Sequence, residues 1–164
     1  MMTKKYSNSK KISFLDSIPT ISLNDDTNDL TSRCKFNFSY FTIDTAGQDF
    51  KEWNQNELSK LLDKLKEYSK FSLKHWQNQY QGKYHVFTKY ESFPIPTDFT
   101  LPKHIPHQAV WSRFHLENKV RLIGFVLPDS YDDTFHKKTH KRFDTNTFYV
   151  VFLDRDHMFY KVEK

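Results

Sequence analysis

The 164-residue sequence predicts an α+β fold in which an antiparallel β-sheet packs against one or two N-terminal helices. Three observations predict it. A leucine-rich segment with helical spacing lies in the N-terminal half, short apolar segments with strand-like patterns fill the C-terminal half, and a proline-rich connection separates the two. We divide the chain into a polar, loosely ordered arm, 1–34, and a single α+β domain, 35–164.

The helical segment begins with a capping box, in which Asn54 is followed by Glu57 three residues later. Apolar residues then recur at helical spacing, and the predicted helix runs to about Lys70; they are Leu58, Leu61, Leu62 and Leu65. Ser72 is typical of the start of a second short helix, with Leu73, Trp76 and Tyr80 facing inward.

Strand patterns occur on both sides of these helices. Residues 35–43 and 84–90 alternate or are rich in aromatic side chains, which predicts two strands. After four prolines at positions 94, 96, 102 and 106, the segments 110–116, 120–127 and 147–153 predict an antiparallel meander whose 147–153 strand is central. Residues 157–162 are interpreted as a final short strand or a tail. Residues 128–146 form a long polar loop, and Gly124 indicates a bulge.

Composition restricts the partners and the compartment. The net charge of +5 favours a polyanion such as RNA or DNA, an acidic protein or a membrane surface, although a base-composition bias toward Lys, Asn, Phe and Tyr codons explains it as well. The single cysteine, Cys34, excludes an internal disulfide and is interpreted as structural. With no signal peptide and no long apolar run, we expect a cytoplasmic protein with no membrane partner.

One face of the predicted sheet carries the residues with chemical potential. On the strand 110–116, Trp111, Arg113 and His115 share a face, opposite Val110, Phe114 and Leu116, which should pack on the leucine helix. Arg121 on the next strand and His157 after the last central strand come close to this face. We therefore expect a basic, histidine-bearing face turned outward from the sheet.

This combination suits metal-independent cleavage of an RNA phosphodiester. Arginine stabilises the charge of the phosphorane, and histidine or a carboxylate moves the protons. Solvated arginine and histidine on an open sheet give the same pattern without catalysis. His136 and His140 have the H-x3-H spacing of zinc sites, yet a solvated loop explains them better, so we expect no metal and no cofactor. His104 and His107 line a substrate cleft or simply belong to turns.

The segments Leu101–His104, Val110–Arg113 and Val120–Val126, followed by His157 and Tyr160, resemble the motifs of the RelE/YoeB-like bacterial toxin superfamily. The resemblance covers about a third of the chain. It implies a small sheet packed on N-terminal helices, and a ribosome-dependent mRNA endonuclease that a partner antitoxin neutralises. Two departures stand out: Met158 and Phe159 separate the His and Tyr that are adjacent in the family, and the nearest candidate for the family's general base is Asp98.

The resemblance implies that Arg113 and Arg121 bind phosphate and that His157 and Tyr160 serve acid–base and stacking roles. We add His115 as a catalytic candidate, and Lys103, His104, Trp111 and Lys119 as substrate-binding candidates. The predicted function is a toxin-like endoribonuclease, a hydrolase of a bacterial toxin–antitoxin or mobile-element system, with an antitoxin, RNA or the ribosome as partner. The alternatives are a non-catalytic binding module of phage or mobile-element origin and, third, a phage-encoded inhibitor of a host enzyme.

Overall fold

The computed structural model describes residues 8–161 and divides the chain into two compact units, 1–31 and 32–164. Over its described residues, 8–31, the first unit contains one α-helix, α1 (Ser9–Asp16), which begins where the Asn8 side chain accepts a hydrogen bond from the backbone N–H of Lys11. No residue of α1 is buried. The sequence did not predict this helix, and residues 1–7 of the predicted arm lie outside the described residues.

The second unit is α+β, as predicted. Its elements in chain order are β1 (Lys35–Asn37), α2 (Gln55–Tyr68), α3 (Leu73–Gln77), β2 (Tyr80–Gln81), β3 (Tyr84–His85), β4 (Phe87–Lys89), β5 (Val110–Glu117), β6 (Val120–Val126) and β7 (Thr147–Asp154). Five strands form one sheet in the order β1-β7-β6-β5-β4, and β2 pairs with β3. The prediction of a wholly antiparallel sheet is wrong, because β1 pairs with β7 in parallel.

Helix α2 forms as its local sequence predicts. The Asn54 side chain accepts a hydrogen bond from the Glu57 backbone N–H, and the Glu57 carboxylate accepts one from the Asn54 N–H, which completes the capping box. Leu61 and Tyr68 are buried against the sheet, and the Tyr68 hydroxyl donates to the His115 carbonyl oxygen. The apolar stripe therefore fixes α2 on one face of the sheet.

The second helix is shorter than predicted. Ser72 caps α3 by accepting from the His75 N–H, and Leu73 and Trp76 are buried, both as predicted. Tyr80 does not continue the inward face: it lies in β2 and is largely exposed. The predicted strand 84–90 is also divided, because β3 and β4 belong to different sheets.

The helix-bearing face of the sheet contains the larger core. Phe87, Phe114, Leu122 and Phe148 pack there against α2 and α3 and are fully buried. Phe114 stacks on Tyr68 with 4.8 Å between ring centroids. Burial of such large aromatic side chains supplies most of the hydrophobic stabilisation of this unit.

A second core covers half of the opposite face. Trp111, Phe125 and Phe152 are buried under the connection that follows β4, which contributes Phe93 and Phe99. We expected Trp111, Arg113 and His115 to face solvent together, and this is wrong in part. Trp111 is 4% exposed because the proline-rich connection folds back over it, whereas His115 is 3% exposed and stacks on the Tyr84 ring.

Two further predictions concern β6, β7 and the chain that follows them. The pairing of β6 with β7 shifts register between Ile123 and Gly124, which confirms the predicted irregularity at that glycine. Of the two interpretations of 157–162, a strand or a tail, the predicted strand is wrong over its described residues, because residues 155–160 form a compact turn. Val162, the last residue of that predicted strand, lies outside the described residues. No helix within residues 8–161 has the length and apolarity needed to cross a membrane.

Candidate functional site: an arginine cavity at one end of the sheet

Polar side chains occupy the half of the second face that the aromatic core leaves uncovered. The pairing of β4, β5, β6 and β7 sets Thr88 opposite Arg113, His115 opposite Arg121, and Arg121 opposite Asp154. Residues directly opposite each other in a sheet share a face, and diagonal neighbours such as Arg113 and Arg121 are within reach of long side chains. Strand register thus gathers two guanidinium groups, an imidazole and a carboxylate.

These residues border an open cavity of about 630 Å³, which we call the arginine cavity. Its lining consists of Tyr84, Thr88, Tyr90, Arg113, Asn118, Lys119, Arg121, Asp156, His157 and Tyr160. Five of the nine predicted site residues therefore lie around one cavity, although they come from three separate parts of the chain. His115 lies directly beside them, stacked on Tyr84 with 5.4 Å between ring centroids.

Arg121 is buried and fixed in place. One guanidinium nitrogen, Nη1, donates to the carbonyl oxygens of Asn118 at 2.8 Å and Val120 at 3.0 Å. The guanidinium also lies 5.8 Å from the Tyr84 ring centroid, within the range of a cation–π contact. Burial, followed by the charge of Arg113, lowers the pKa of Arg121 to about 10, so the group stays charged at neutral pH.

Unpartnered polar atoms concentrate around this cavity. Within residues 8–161, five buried side-chain atoms have no hydrogen-bond partner, and four of them belong to this region. They are Thr88 Oγ1, Arg113 Nη1, His115 Nδ1 and Arg121 Nε. Buried polar groups in native proteins are almost always paired with protein, water or ligand, so these four atoms make the region a candidate site for polar partners.

The two histidines near the cavity are held neutral at physiological pH. Burial, then the charges of Arg121 and Arg113, lower the pKa of His115 to about 4. Burial and Arg121 also lower the pKa of His157, while the Asp154 carboxylate opposes the shift. A neutral imidazole accepts a proton, so His157, which lines the cavity, has the state of a general base.

The turn after β7 positions His157 and Tyr160. The buried carboxylate of Asp154 accepts hydrogen bonds from the backbone N–H groups of Met158 at 2.9 Å and Phe159 at 3.0 Å. Phe159 is anchored in the second core, and His157 has a φ of 62°. Met158 and Phe159 lie between His157 and Tyr160 in the sequence. Their contacts with Asp154 and the second core therefore keep His157 and Tyr160 at the cavity.

Five lining residues were not predicted as site residues from the sequence, namely Tyr84, Thr88, Tyr90, Asn118 and Asp156. Tyr90 stacks on Tyr160 with 5.5 Å between ring centroids, and burial raises the pKa of the Tyr90 phenol while Arg113 opposes that shift. Tyr84 comes from β3 and Thr88 from β4. Tyr84, Thr88 and Tyr90 are an even number of residues apart, so they fall on one face of the predicted strand 84–90. That pattern could have identified them as neighbours.

The remaining predicted residues lie elsewhere. Trp111 is in the second core beside Phe93. His104 stacks on Tyr40, and Lys103 is exposed in the same loop, away from the cavity lining. Asp98, the candidate base, forms an ion pair with Lys161 and does not line the cavity. The described residues contain no group of three or more potential metal ligands.

A smaller groove of about 210 Å³ lies between α2 and the β5–β6 turn. Trp53, Leu61, Leu116 and Val120 form its apolar lining. Charged residues at its rim pair with one another, as in Lys60 with Glu117 and Lys64 with Glu67. Since those charges are already satisfied, the arginine cavity is the stronger candidate for binding an anionic substrate.

In comparisons with protein-family models, with curated proteins and with solved structures, this chain matches none.

Proposed function

We propose that the protein is a metal-independent endoribonuclease that cleaves RNA in the arginine cavity, in the manner of a bacterial toxin. The observation that carries the proposal is that two arginines, Arg113 and Arg121, line one cavity together with His157 and Tyr160. Arginine offers a planar fork of donors that matches the oxygens of a phosphodiester. The tyrosines of the cavity add flat apolar surfaces on which unpaired bases can stack.

Each catalytic need has a residue at the cavity. His157, neutral at pH 7, takes the proton of the 2′-hydroxyl, and the 2′ oxygen then bonds to phosphorus. Arg113 and Arg121 stabilise the negative charge of the phosphorane. The bond from phosphorus to the 5′ oxygen breaks as Tyr160 donates a proton to that oxygen, leaving a 2′,3′-cyclic phosphate and a 5′-hydroxyl. The buried and still more strongly shifted His115 is a structural neighbour in this scheme, and Lys119 contacts the RNA at the cavity mouth.

The biological setting follows from the sequence resemblance rather than from the cavity. We propose a toxin–antitoxin or mobile-element system in the bacterial cytoplasm, with mRNA on the ribosome as substrate and an antitoxin as inhibitor. If so, expression in a bacterial host should arrest translation, and Arg121→Ala should relieve the arrest. Undiminished growth with intact mRNA would contradict this setting.

The direct test measures cleavage of a single-stranded RNA by the purified protein in the presence of a metal chelator. We expect Arg113→Ala to lower the rate about 10²–10³-fold, because a donor to the phosphorane is lost. His157→Ala should lower it about 10²–10⁴-fold. Lys103→Ala and His104→Ala are matched controls, since these residues have the same chemical types and lie outside the cavity, and neither should change the rate.

A binding module without turnover is the second candidate, and one observation favours it. Arg121 is 4% exposed, and its guanidinium already donates to two carbonyl oxygens of its own chain. It therefore attracts a phosphate through its charge and is poorly placed to donate a hydrogen bond to it. In that case the wild-type protein binds single-stranded RNA, Arg113→Ala weakens the binding, and no cleavage product forms at any pH. Formation of a 2′,3′-cyclic phosphate by the wild-type protein but not by His157→Ala would exclude this candidate.

A further inference from the structure

The long loop between β6 and β7 contains an ordered basic hairpin, residues 134–143. The backbone N–H of Phe143 donates to the Thr134 carbonyl oxygen at 3.0 Å, and the N–H of His136 donates to the carbonyl of Lys141 at 2.8 Å. The His140 N–H closes the tip on the His136 carbonyl at 2.9 Å. The loop therefore has a defined shape, whereas the sequence alone predicted a solvated segment.

The hairpin presents positive charge that the described part of the chain does not neutralise. Its sequence contains no Asp or Glu. At its base, Arg142 pairs with Asp132 at 2.9 Å and with Asp133 at 2.7 Å, which consumes the nearest carboxylates. The ammonium groups of Lys137, Lys138 and Lys141 form no ion pair within residues 8–161, and all three side chains are exposed.

Aromatic groups accompany these lysines. Phe135 is 63% exposed, and the exposed His136 and His140 flank the tip. His136 Nδ1 accepts from the Thr139 N–H at 3.2 Å, which leaves its Nε2 as the donor of the neutral ring. One exposed phenylalanine is too little apolar area to insert into a membrane, whereas lysines interleaved with flat rings suit a single-stranded nucleic acid.

The hairpin lies at the opposite end of the sheet from the arginine cavity. Arg121 is at the start of β6, and the loop leaves the sheet after Val126, five residues later along the strand. At about 3.3 Å per residue this is a separation of about 17 Å along the strand alone. We therefore expect a short RNA centred on Arg121 not to reach the hairpin.

We propose that the basic hairpin is a second RNA-binding surface, which holds the backbone of a long single strand while the arginine cavity holds the phosphodiester to be cleaved. The inference rests on the proposed function for the identity of the ligand as RNA. Lys137 and Lys138 at the tip bind phosphates, and Phe135 stacks against a base. The backbone hydrogen bonds fix the tip before RNA arrives, which lowers the entropic cost of binding.

The test compares the double variant Lys137→Glu, Lys138→Glu with the double variant Lys66→Glu, Lys70→Glu. The control changes the net charge by the same amount at two exposed lysines of the α2 region. Binding is measured with a long 2′-O-methyl single strand and with a 2′-O-methyl trinucleotide, neither of which can be cleaved through a 2′-hydroxyl. Protein folding is checked by circular dichroism.

We expect the hairpin variant to bind the long strand about tenfold more weakly. The slope of log K against log salt concentration should become less steep by about 1.4, because two phosphate contacts are lost. Trinucleotide binding, and the rate of cleavage of a saturating all-ribose trinucleotide, should stay unchanged. An unchanged affinity for the long strand, an equal loss in the control, or competition by polyglutamate as strong as by RNA would overturn the inference. If the wild-type protein binds the long strand through the hairpin but cleaves no RNA, the proposed activity fails and the inference stands.

Discussion

At the scale of single residues, the character of the arginine cavity comes from side chains whose charge is constrained by burial. Arg121 is fixed by two carbonyl oxygens, and Asp154, directly opposite it, is bonded to two backbone N–H groups. His115 stacks on the Tyr84 ring beside Arg121, where a second positive charge is strongly disfavoured. The cavity thus holds its guanidinium groups and neutral imidazoles in fixed positions before a ligand binds.

The first residue-scale prediction concerns His115 and pH. Its pKa is about 4 in the folded protein, against 6.5 for a solvent-exposed histidine, so between these values the unfolded chain binds more protons than the folded protein. The stability that neutral His115 maintains is complete above pH 6.5 and is lost as the pH falls toward 4, by roughly 2–3 kcal/mol. His115→Phe keeps the stacking but cannot titrate, so urea unfolding of this variant should lose less stability over that range. Parallel curves for the two proteins would contradict the prediction.

A second residue-scale prediction concerns Gly124. A Cβ at this position would collide with the Tyr149 carbonyl oxygen and lie 2.8 Å from the Phe148 ring. Because both neighbours are part of the packed sheet, Gly124→Ala should lower the free energy of unfolding by about 2–4 kcal/mol. Gly82→Ala is the control: its φ of 62° is unfavourable for alanine, but no atom lies within 4 Å, so about 1 kcal/mol is expected. Equal losses in thermal unfolding would show that the close contact carries no cost.

At the scale of elements, the turn at 155–160 determines where His157 and Tyr160 lie. Three anchors hold it: the Asp154 carboxylate, the Phe159 ring in the second core, and the Gln48 side chain, which accepts from the Arg155 N–H at 2.8 Å. A final strand would have sent these side chains to alternate faces of the sheet. The compact turn instead presents both residues to the same cavity.

The prediction at this scale is that Asp154→Asn disturbs catalysis as well as stability. Asparagine has one acceptor oxygen in place of two, so one backbone N–H of the turn loses its partner, at about 1–3 kcal/mol. Removing the carboxylate charge also lowers the pKa of His157 further, since Asp154 is the group that raises it. The acid limb of the rate profile for RNA cleavage should therefore shift to lower pH, with a reduced maximum. Asp63→Asn, which removes an exposed carboxylate on α2 outside the arginine cavity, should leave the profile of the wild-type protein in place.

At the scale of the whole molecule, the two faces of the sheet have different tasks. The helix-bearing face is predominantly apolar, whereas the other face changes from aromatic to charged within single strands, as from Trp111 to Arg113 along β5. The connection between β4 and β5 covers only the aromatic half. This division leaves a charged cavity beside a well-packed core, and it separates that cavity from the basic hairpin at the other end of β6.

The prediction at this scale concerns the N-terminal unit. No described residue of 8–31 is buried, and the cores of the sheet are built from residues after Ser32. A chain that begins at Ser32 should therefore unfold in urea with a free energy within about 0.5 kcal/mol of the complete protein. A markedly lower midpoint would show that the first unit contributes to the stability of the second.

Local patterns predicted the elements that depend on near neighbours in sequence. Helix α2 was predictable because its capping box and leucine spacing act within one or two helical turns. Strands β6 and β7 were predictable because nearly continuous apolar residues favour a buried strand, and β5 was predictable because its side chains divide between two faces. The parallel pairing of β1 with β7 was not, since it joins Lys35 to Thr147 across most of the chain and no local pattern records it.

The sequence by itself determined that Arg113, Arg121, His157 and Tyr160 are candidates and that β5 has two chemically different faces. Only the tertiary structure decided that Tyr84, Thr88, Tyr90 and Asp154 join them, that Trp111 is core, and that the loop after β6 is an ordered basic hairpin. The physical reason is that periodicity specifies which side of a strand a residue occupies. Whether that side is covered depends on the packing of segments distant in sequence. Here that packing determined where the core ends and the cavity begins.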